Sequence, residues 1–378
     1  MKDASKIFLL IAGYPESLLN FRGPLLRALV AKGLEVHVAA PDLPPNSMIR
    51  QKLEGLGVRV HEVALKRTGM NPLADMTTVY QLWCLMRRIK PDFSLGYTIK
   101  PVIYGNIAAW LAGVPSRFAL ITGLGYAFQG EGGQRSWLKR IVQGLYRMAL
   151  GKVHRVFFQN PDDEALFHSL GITNKSDRKT VVVNGSGIDV SRFAVAPLPK
   201  VTQFLLIARL LGDKGVREYV KAATMVRQQY PCVRFGLVGW IDDNPNAIGE
   251  DELEHWIESG DVQFYGRLAD VKPVIAESSI YVLPSYREGT PRTVLEAMAM
   301  GRPIITTDAP GCRETVVDGD NGFLVPVKSV DELAIAMLKF VEQPELIIRM
   351  GKRSRQIAEE KYDVDKVNAH MLREMGIK

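Results

Sequence analysis

The segment EGTPRTVLEAMAMGRP, which begins at Glu288, places two carboxylates eight positions apart. Glu288 precedes a predicted turn, and Glu296 lies in a predicted helix. Thr290 would cap that helix, Pro291 would occupy its first turn and Gly301 would end it. A helix start offers backbone N–H groups to a diphosphate, and carboxylates accept hydrogen bonds from sugar hydroxyls. These residues suggest a site for a phosphorylated sugar, although the spacing alone is more typical of a surface helix with two solvated glutamates.

Two cations, Arg209 and Lys214, follow a predicted strand in the segment IARLLGDKGV. Fixed positive charges at a strand end suit a diphosphate, because they neutralise the charge that develops on a departing phosphate. Alone, the two residues are equally consistent with a solvated surface, but beside Glu288 a shared anion site is the better interpretation. An enzyme that lacks a divalent metal would need such cations, and we expect no Asp-x-Asp motif to hold a metal, no metal and no cofactor. The six histidines are dispersed and form no metal-binding pair.

Three loops contain glycines that suit either a ligand or a turn. Gly13, in AGYPESLLNFRGP, follows the first predicted strand and lets the backbone approach a ligand, or simply turns the chain. The loop GLGYAFQGEGG, which begins at Gly123, lacks the G-x-G-x-x-G spacing and a following helix. We therefore reject a dinucleotide site there and expect a mobile loop near a cleft. The loop NGSGID, from Asn184, lines a hinge or only turns the chain.

The length and composition fit a globular protein with two domains. The 378 residues are 47% hydrophobic and 24% charged. The three cysteines form no metal or disulfide pattern, which indicates a reducing cytosol. The first apolar run leads straight into Gly and Pro and is interpreted as a buried strand rather than a signal peptide. No run reaches the roughly 18 apolar residues of a membrane span.

The net charge of +7 is unevenly divided. Residues 1–199 carry 25 Lys and Arg against 14 Asp and Glu, whereas residues 200–378 carry 23 against 27. The basic first half predicts an anionic partner, which is a membrane surface, a lipid diphosphate or nucleic acid. Within it, residues 135–155 interleave six basic residues with apolar ones at helical spacing. This pattern predicts either an interfacial helix on anionic lipid or a helix packed on its own sheet.

Apolar runs alternate with amphipathic stretches along the whole chain, which is typical of an α/β fold with mainly parallel sheets. The predicted strands of the first half are 7–12, 36–40, 58–63, 93–96, 117–121, 155–159 and 180–183. Those of the second half are 204–207, 234–238, 262–265, 279–282, 304–307 and 322–325. The segment AVAPLPK, at residues 194–200, is interpreted as a linker between two doubly wound domains. Ligands in such folds bind beyond the carboxyl ends of the strands.

Several segments together resemble the retaining nucleotide-sugar glycosyltransferases of family four. In the second half these are ARLLGDKG, FYGRLADV, VLPSYREGTPRTVLEAMAMGRPIITTDAPGCRETV and DGDNGFLVP. In the first half, LLNFRGPLLRAL, YTIKPVIYGNIAA and ITGLGYAF are similar to a narrower bacterial branch. That branch transfers N-acetylgalactosamine to saccharides linked to undecaprenyl diphosphate.

The resemblance implies a GT-B fold, with two facing Rossmann-like doubly wound domains and a cleft between them. The domains would be an acceptor domain at 1–197 and a nucleotide-sugar domain at 198–359, with a final helix at 360–378 packed on the first. Arg209, Lys214 and Glu288 would be the catalytic residues. The donor site would consist of Gly13, Arg209, Lys214, Gly239, Arg267, Glu288, Gly289, Thr290, Pro291, Arg292, Thr293 and Glu296. Acceptor candidates are Arg22, Lys100 and Gly123. Many members carry a histidine where this chain has YTIK, so no catalytic histidine is named.

The resemblance also implies a mechanism, in which the acceptor hydroxyl attacks the face from which the nucleotide diphosphate departs. The expected donor is a UDP-sugar, with N-acetylgalactosamine as the best choice among several hexoses. The expected acceptor is a polyprenyl-diphosphate-linked saccharide in bacterial surface glycan assembly. The protein is expected in the cytoplasm, at the inner face of the cell membrane. The alternatives are a GT-B sugar-nucleotide epimerase and a basic α/β protein that binds nucleic acid.

Overall fold

The computed structural model describes residues 5–65, 71–123, 136–242, 244 and 246–378, with the backbone alone at 136–138. The chain forms two compact units, and each has one parallel sheet. Unit 1 comprises residues 1–186 and 367–378, and unit 2 comprises residues 187–366. Within the described ranges, every helix is too short or too polar to cross a lipid bilayer.

Unit 1 contains a seven-stranded parallel sheet in the order β3-β2-β1-β4-β5-β6-β7. Its central strands are apolar runs without alternation, because both faces of the sheet are covered by helices. The strands are β1 Ile7–Ile11, β2 Glu35–Ala40, β3 Arg59–Glu62, β4 Phe93–Tyr97, β5 Ser116–Ile121, β6 Arg155–Phe158 and β7 Thr180–Val182. The helices are α1 Glu16–Asn20, α2 Gly23–Ala31, α3 Met48–Glu54, α4 Pro72–Ile89, α5 Asn106–Ala112, α6 Ser136–Leu150 and α7 Pro161–Ser169. A π-helical turn, Pro101–Gly105, leads into α5.

Unit 2 contains a six-stranded parallel sheet in the order β10-β9-β8-β11-β12-β13. The strands are β8 Gln203–Ile207, β9 Arg234–Val238, β10 Gln263–Phe264, β11 Ile280–Leu283, β12 Ile304–Thr307 and β13 Gly322–Val325. The helices are α8 Val216–Gln229, α9 Glu250–Glu258, α10 Lys272–Ala276, α11 Arg292–Ala299, α12 Val330–Glu342 and α13 Glu345–Lys361. All thirteen strands expected from the sequence occur, with ends shifted by at most one residue.

The last helix, α14 Val364–Glu374, brings the chain back to unit 1. Met371, Leu372 and Met375 are buried in the same apolar cluster as Phe8 and Leu10 of the central strand β1. The end of the chain therefore contributes to the core of the unit in which the chain begins.

The expected domain boundary at 197/198 was placed too late. The structure divides the chain at 186/187, and residues up to 366 belong to unit 2. Phe193 is buried in the core of unit 2, and the Arg302 guanidinium donates to the carbonyl groups of Ala196 and Pro197. The Pro-rich segment is thus bound to unit 2 by buried contacts, which its composition alone did not indicate.

Candidate functional site

Each sheet has one point at which the strand order reverses, and the predicted site residues follow the strands at these points. In unit 2 the order reverses between β8 and β11. Arg209 and Lys214 follow β8, while Glu288 follows β11. Open parallel sheets bind ligands beyond the carboxyl ends of the two strands at such a reversal. The topology therefore brings together residues that lie more than 70 positions apart in the sequence.

The centre of the site in unit 2 is an ion pair between Lys214 and Glu288. The Lys214 Nζ lies 2.5 Å from Glu288 Oε1, and both side chains are largely buried, with 14% and 18% exposed. An ammonium group has three N–H donors, and this contact uses one of them. The pair thus holds a carboxylate beside a cation that retains donors for a second anion.

Backbone hydrogen bonds fix the two segments that carry this pair. The N–H of Tyr286 donates to the carbonyl of Asp213, and the Ser285 hydroxyl donates to the same carbonyl. Gly215 has a φ of +69°, and a Cβ there would lie 2.1 Å from the carbonyl oxygen of Pro284. Only glycine allows this approach. Lys214 is consequently placed by the chain segment after β11.

Gly311 performs a similar role for Glu288. Its φ is +79°, and an added Cβ would lie 2.1 Å from the Glu288 carbonyl oxygen and 2.6 Å from that of Gly289. The N–H of Glu288 donates to the carbonyl of Pro310 at 2.9 Å. Burial, together with the nearby Glu288 carboxylate, raises the pKa of the Cys312 thiol to about 12. The loop from β12 therefore forms a close support beneath Glu288.

Arg209 forms an ion pair with Asp242, at 3.0 Å between Nη1 and Oδ2, and its side chain is 36% exposed. Because one N–H of the guanidinium takes part, several donors remain. Arg267 lies 4.7 Å from the ring centre of Trp240, which is 40% exposed. Sequence reasoning missed Asp242 and Trp240. The signal was available, since an aromatic and an acid directly follow β9.

Gly239 lies at the end of β9, where neighbouring strand ends crowd together. A Cβ there would lie 2.1 Å from the carbonyl oxygen of Ala208, and its N–H donates to the carbonyl of Gly266. The close packing of strand ends explains why this position requires glycine.

The start of α11 differs from the expectation. Thr290 does not cap the helix, because Pro291 occupies the capping position with an extended ψ of 111° and no side chain caps this end. The carbonyl of Pro291 accepts the first helical hydrogen bonds, from Val294 and Leu295. Gly301 ends the helix as predicted, with a φ of +78°. The helix start thus keeps N–H groups that no side chain caps.

Glu296 is not a solvated surface residue, since only 6% of it is exposed. Burial raises the pKa of its carboxyl group, and Arg292, whose Nε lies 2.9 Å from Glu296 Oε1, opposes that rise. One turn earlier, the Thr293 hydroxyl lies 3.4 Å from the carbonyl oxygen of Ile207, at the end of β8. The surface-helix alternative is therefore wrong for this segment. Glu296 lies at the base of the site rather than on its rim.

The expectation of no Asp-x-Asp motif is wrong, because two such triplets occur in unit 2, and both are engaged in local structure. In the first, Asp318 accepts from the N–H of Leu324, and Asp320 forms an ion pair with Arg353. In the second, Asp363 accepts from the N–H groups at the start of α14. Among the described residues, no group of three or more His, Cys, Asp or Glu side chains is arranged to hold a metal ion.

In unit 1 the strand order reverses between β1 and β4, and Gly13 and Thr98 meet there. A Cβ at Gly13 would lie 3.1 Å from Thr98 Oγ1. Thr98 has a φ of +68°, a strained value for a β-branched residue. Backbone strain of this kind concentrates at functional sites. Sequence reasoning did not single out Thr98, because nothing in its neighbours predicts a positive φ.

The three acceptor candidates of unit 1 have different surroundings. Arg22 is only 2% exposed, and its guanidinium lies 5.2 Å from the centre of the Tyr97 ring. Lys100 forms an ion pair with Asp75, at 2.8 Å between Nζ and Oδ1. Gly123 follows β5 with a φ of +137°, and the rest of its loop, 124–135, lies outside the described residues. Among the three acceptor candidates, Arg22 is therefore a buried residue.

Helix α6 covers most of the basic segment 135–155. Val142, Tyr146 and Leu150 are buried against the sheet, so this helix is packed on its own unit. Arg147 donates to two carbonyl groups at 170 and 171. Met148 is exposed on the opposite face of α6. The packed-helix alternative is thus realised, and contact with lipid stays a prediction for the exposed face.

Comparison with known proteins shows which families and solved structures this chain resembles. Residues 202–343 match the family model "Glycosyl transferases group 1", and residues 22–185 match the "Glycosyl transferase 4-like domain". Among solved structures, the Anabaena protein HepE in complex with UDP is similar, with a TM-score of 0.78 and 19% identity over 98% of this chain and 99% of that one. Sucrose-phosphate synthase from Thermosynechococcus elongatus has the same TM-score, at 17% identity over 97% and 98% of the two chains.

Two curated bacterial enzymes are similar over most of their length. An N,N'-diacetylbacillosaminyl-diphospho-undecaprenol α-1,3-N-acetylgalactosaminyltransferase of Campylobacter jejuni is 29% identical over 90% of this chain and 91% of that enzyme. A UDP-Gal:α-D-GlcNAc-diphosphoundecaprenol α-1,3-galactosyltransferase of Escherichia coli is 26% identical over 79% and 78%. With both halves matched by glycosyltransferase domains and two Rossmann-like parallel sheets, the chain belongs to the family-four glycosyltransferases of GT-B fold.

Proposed function

We propose that the protein is a retaining glycosyltransferase that moves N-acetylgalactosamine from UDP to a saccharide linked to polyprenyl diphosphate. The observation that carries this proposal is the Lys214–Glu288 pair at the strand reversal of unit 2. It combines a partner for sugar hydroxyls with a partner for phosphate in one small volume. The two bacterial enzymes described above, whose names specify undecaprenyl-diphosphate-linked acceptors, support the acceptor class.

The donor's parts can be assigned from the chemistry of the side chains. Lys214 and Arg209 would donate to the diphosphate, together with backbone N–H groups at the start of α11. Glu288 would accept from hydroxyls of the transferred sugar through its carboxylate oxygens. Glu296 would accept from the ribose hydroxyls. Its low exposure requires the ribose to lie directly over the base of the site.

In the proposed reaction, the bond between the sugar's anomeric carbon and the β-phosphate oxygen breaks. The acceptor hydroxyl forms a new bond to that carbon on the same face, and its proton passes to the departing phosphate. Negative charge accumulates on the diphosphate as it leaves, and the Lys214 and Arg209 cations would stabilise it. Glu288 would orient the sugar rather than attack it.

The test is transfer from a panel of nucleotide sugars to a lipid-diphosphate-linked sugar, read by mass. We expect Arg209→Ala, Lys214→Ala and Glu288→Gln each to reduce transfer by about a hundredfold or more, the scale of a lost charge stabiliser. Arg353→Ala is a matched control, because its side chain is also 36% exposed and forms an ion pair with Asp320. Near-normal turnover in the Arg209 and Lys214 variants would reject the site.

Two further outcomes separate competing descriptions of this reaction. Incubation of the wild-type protein with donor alone should give only slow hydrolysis, whereas accumulation of an epimerised nucleotide sugar would identify an epimerase instead.

We also propose that no metal takes part, since the site supplies cations of its own. Transfer should therefore survive a chelator, and loss of activity that Mg²⁺ or Mn²⁺ restores would overturn this part.

We propose that unit 1 acts at the membrane surface, where such an acceptor resides. The excess of positive charge in residues 1–199 supports this location, since anionic lipid attracts basic surfaces. Co-sedimentation with anionic liposomes at low salt should be strong and should fall as salt is added. Equal binding to neutral and anionic liposomes would contradict the electrostatic account.

A further inference from the structure

Unit 1 contains an open recess of about 560 Å³ at the edge of its sheet, where β3 is the outermost strand. His61 of β3 lines this recess, together with Arg50 of α3 and Arg88 of α4. Two guanidinium groups and an imidazole thus come together from three different elements. The volume falls within the range of roughly 300–1,000 Å³ for small-molecule sites.

The two arginines of the recess differ in how they are held. Arg50 is fixed, because its Nε pairs with Glu54 at 2.8 Å and its Nη1 and Nη2 donate to the carbonyl groups of Leu43 and Val60. These three bonds leave two of its five N–H groups. Arg88 is exposed, and within the described residues its guanidinium has no hydrogen-bond or ion-pair partner. A fixed guanidinium and a free one together offer several donors to an anion.

A chain of hydrogen bonds that begins at Glu35 determines which nitrogen of His61 carries a proton. The hydrogen bond from His37 lowers the pKa of the Glu35 carboxyl, and the carboxylate accepts from His37 Nε2 at 2.8 Å. His37 Nδ1 lies 2.8 Å from His61 Nε2. While both rings are neutral, His37 Nδ1 is an acceptor, so His61 Nε2 must donate to it. Nδ1 of the neutral His61 ring is therefore left as a lone pair.

Positive charge surrounds the His61 ring. Burial, together with His37 and the guanidinium groups of Arg88, Arg50 and Arg59, lowers the pKa of His61 to about 4. An anion in the recess would offset these cations and would raise that pKa again. The ring could then take a proton from solvent and donate from Nδ1 to the anion.

One acid opposes an anion in this recess. Of the described residues that line it, Glu62 alone has a carboxylate, and this side chain is exposed at the end of β3. Solvent and salt screen an exposed charge more strongly than a buried one. The Glu62 carboxylate would therefore weaken anion binding without preventing it.

We propose that this recess binds a small molecule through its phosphate group, which the guanidinium groups of Arg88 and Arg50 and the imidazole of His61 hold together. A phosphate suits the recess because it has enough acceptor oxygens for donors that come from three elements, and because guanidinium groups pair well with phosphate. The site lies in unit 1 and is distinct from the proposed donor site of unit 2. It does not depend on the proposed function.

The chain offers matched variants for a test. Arg87 and Arg88 are adjacent exposed residues of α4, and only Arg88 lines the recess. Arg88→Gln removes a cation from the recess, whereas Arg87→Gln removes one beside it. Glu62→Gln removes the repelling carboxylate and should strengthen binding. A general effect of lost surface charge would appear equally in the two arginine variants.

The assay follows the imidazole signal of His61 by NMR in the full chain, with inorganic phosphate as the probe and His61→Gln to identify the signal. Between pH 7 and pH 5, phosphate should raise the pKa of His61 by about one pH unit or more, the scale of a nearby opposite charge. Arg87→Gln should keep this response, and Arg88→Gln should need about tenfold more phosphate for it. Phosphate at the proposed donor site of unit 2 would give no such dependence on Arg88.

Potassium chloride at the same ionic strength is the control for screening. An equal response to chloride, or the same phosphate response in Arg87→Gln and Arg88→Gln, would overturn the inference. Co-sedimentation with phosphatidylglycerol vesicles tests a lipid headgroup as the source of the phosphate. A response to free phosphate assigns the recess to a soluble ligand, whereas vesicle binding that only Arg88→Gln weakens, without a response to free phosphate, assigns it to a headgroup. No effect of Arg88→Gln in either arm would reject the site.

Discussion

Replacement of Gly311 by alanine tests whether the position of Glu288 matters for transfer. The added Cβ would lie 2.1 Å from the Glu288 carbonyl oxygen, whereas ordinary contacts begin at 3.4 Å. The loop must therefore shift by about 1 Å, a displacement that can cost roughly a hundredfold in rate. We expect kcat/KM to fall by about that factor, with Glu288 itself unchanged.

The same substitution also has a conformational cost, and a second glycine measures it separately. Gly319 has a φ of +75°, close to the +79° of Gly311, but an added Cβ there meets no atom within 4 Å. Gly319→Ala should lose about 1–2 kcal/mol of stability from the left-handed backbone alone. For a unit of this size, each kcal/mol of lost stability lowers the Tm by about 2–4 °C. Gly311→Ala should lose a further 1–3 kcal/mol or so from crowding.

The assays are thermal unfolding and steady-state transfer for the wild type and both variants. If the loss acts through Glu288, the double variant Gly311→Ala with Glu288→Gln should be little worse than Glu288→Gln alone, because coupled sites are not additive. Normal kcat/KM in a destabilised Gly311→Ala protein would show that transfer does not depend on where the Glu288 loop lies. That result would remove the central argument for the site.

Two further predictions concern single side chains. Burial and the nearby cations lower the pKa of His61 to about 4 from its ordinary 6.5, so the folded protein resists its protonation. The free energy of unfolding should then fall between pH 7 and pH 5 by about 1 kcal/mol after allowance for solvent screening, and urea titrations of His61→Gln should lack this part of the change. Cys312 is buried with a raised pKa, so a thiol reagent should modify the exposed Cys232 in the native protein and reach Cys312 only on unfolding. Rapid native labelling of Cys312 would contradict its placement.

The sheets were predictable because strands buried on both faces are long apolar runs between turn residues. Such runs at 204–207 and 304–307, for example, lie in strands of unit 2. The start of α11 was not predictable in the same way. Thr290 and Pro291 are both common near helix starts, and the choice between them depends on the backbone angle at Pro291.

The sequence did not show which side chains form ion pairs with each other when they lie far apart along the chain. Lys214 and Glu288 were each identified, but their 2.5 Å contact depends on how the loops after β8 and β11 are anchored. The partners Asp242 and Asp75 were not identified, although each forms an ion pair with a predicted residue, Arg209 or Lys100. The position of Asp242 after a strand could be noticed in the sequence, but only the fold shows that this acid pairs with Arg209.

The ion pairs of unit 2 also bear on the role of the excess positive charge in the first half of the chain. In unit 2, the predicted cations Arg209, Lys214 and Arg292 each have a carboxylate partner within 3.0 Å. Recognition of a nucleotide diphosphate there would depend on arranged donors rather than on net charge, since residues 200–378 carry more acid than base. The surplus of base lies in residues 1–199, and long-range attraction follows net charge. The proposed donor site does not account for that surplus, whereas the lipid-diphosphate acceptor proposed for unit 1 would account for it as a second anionic partner.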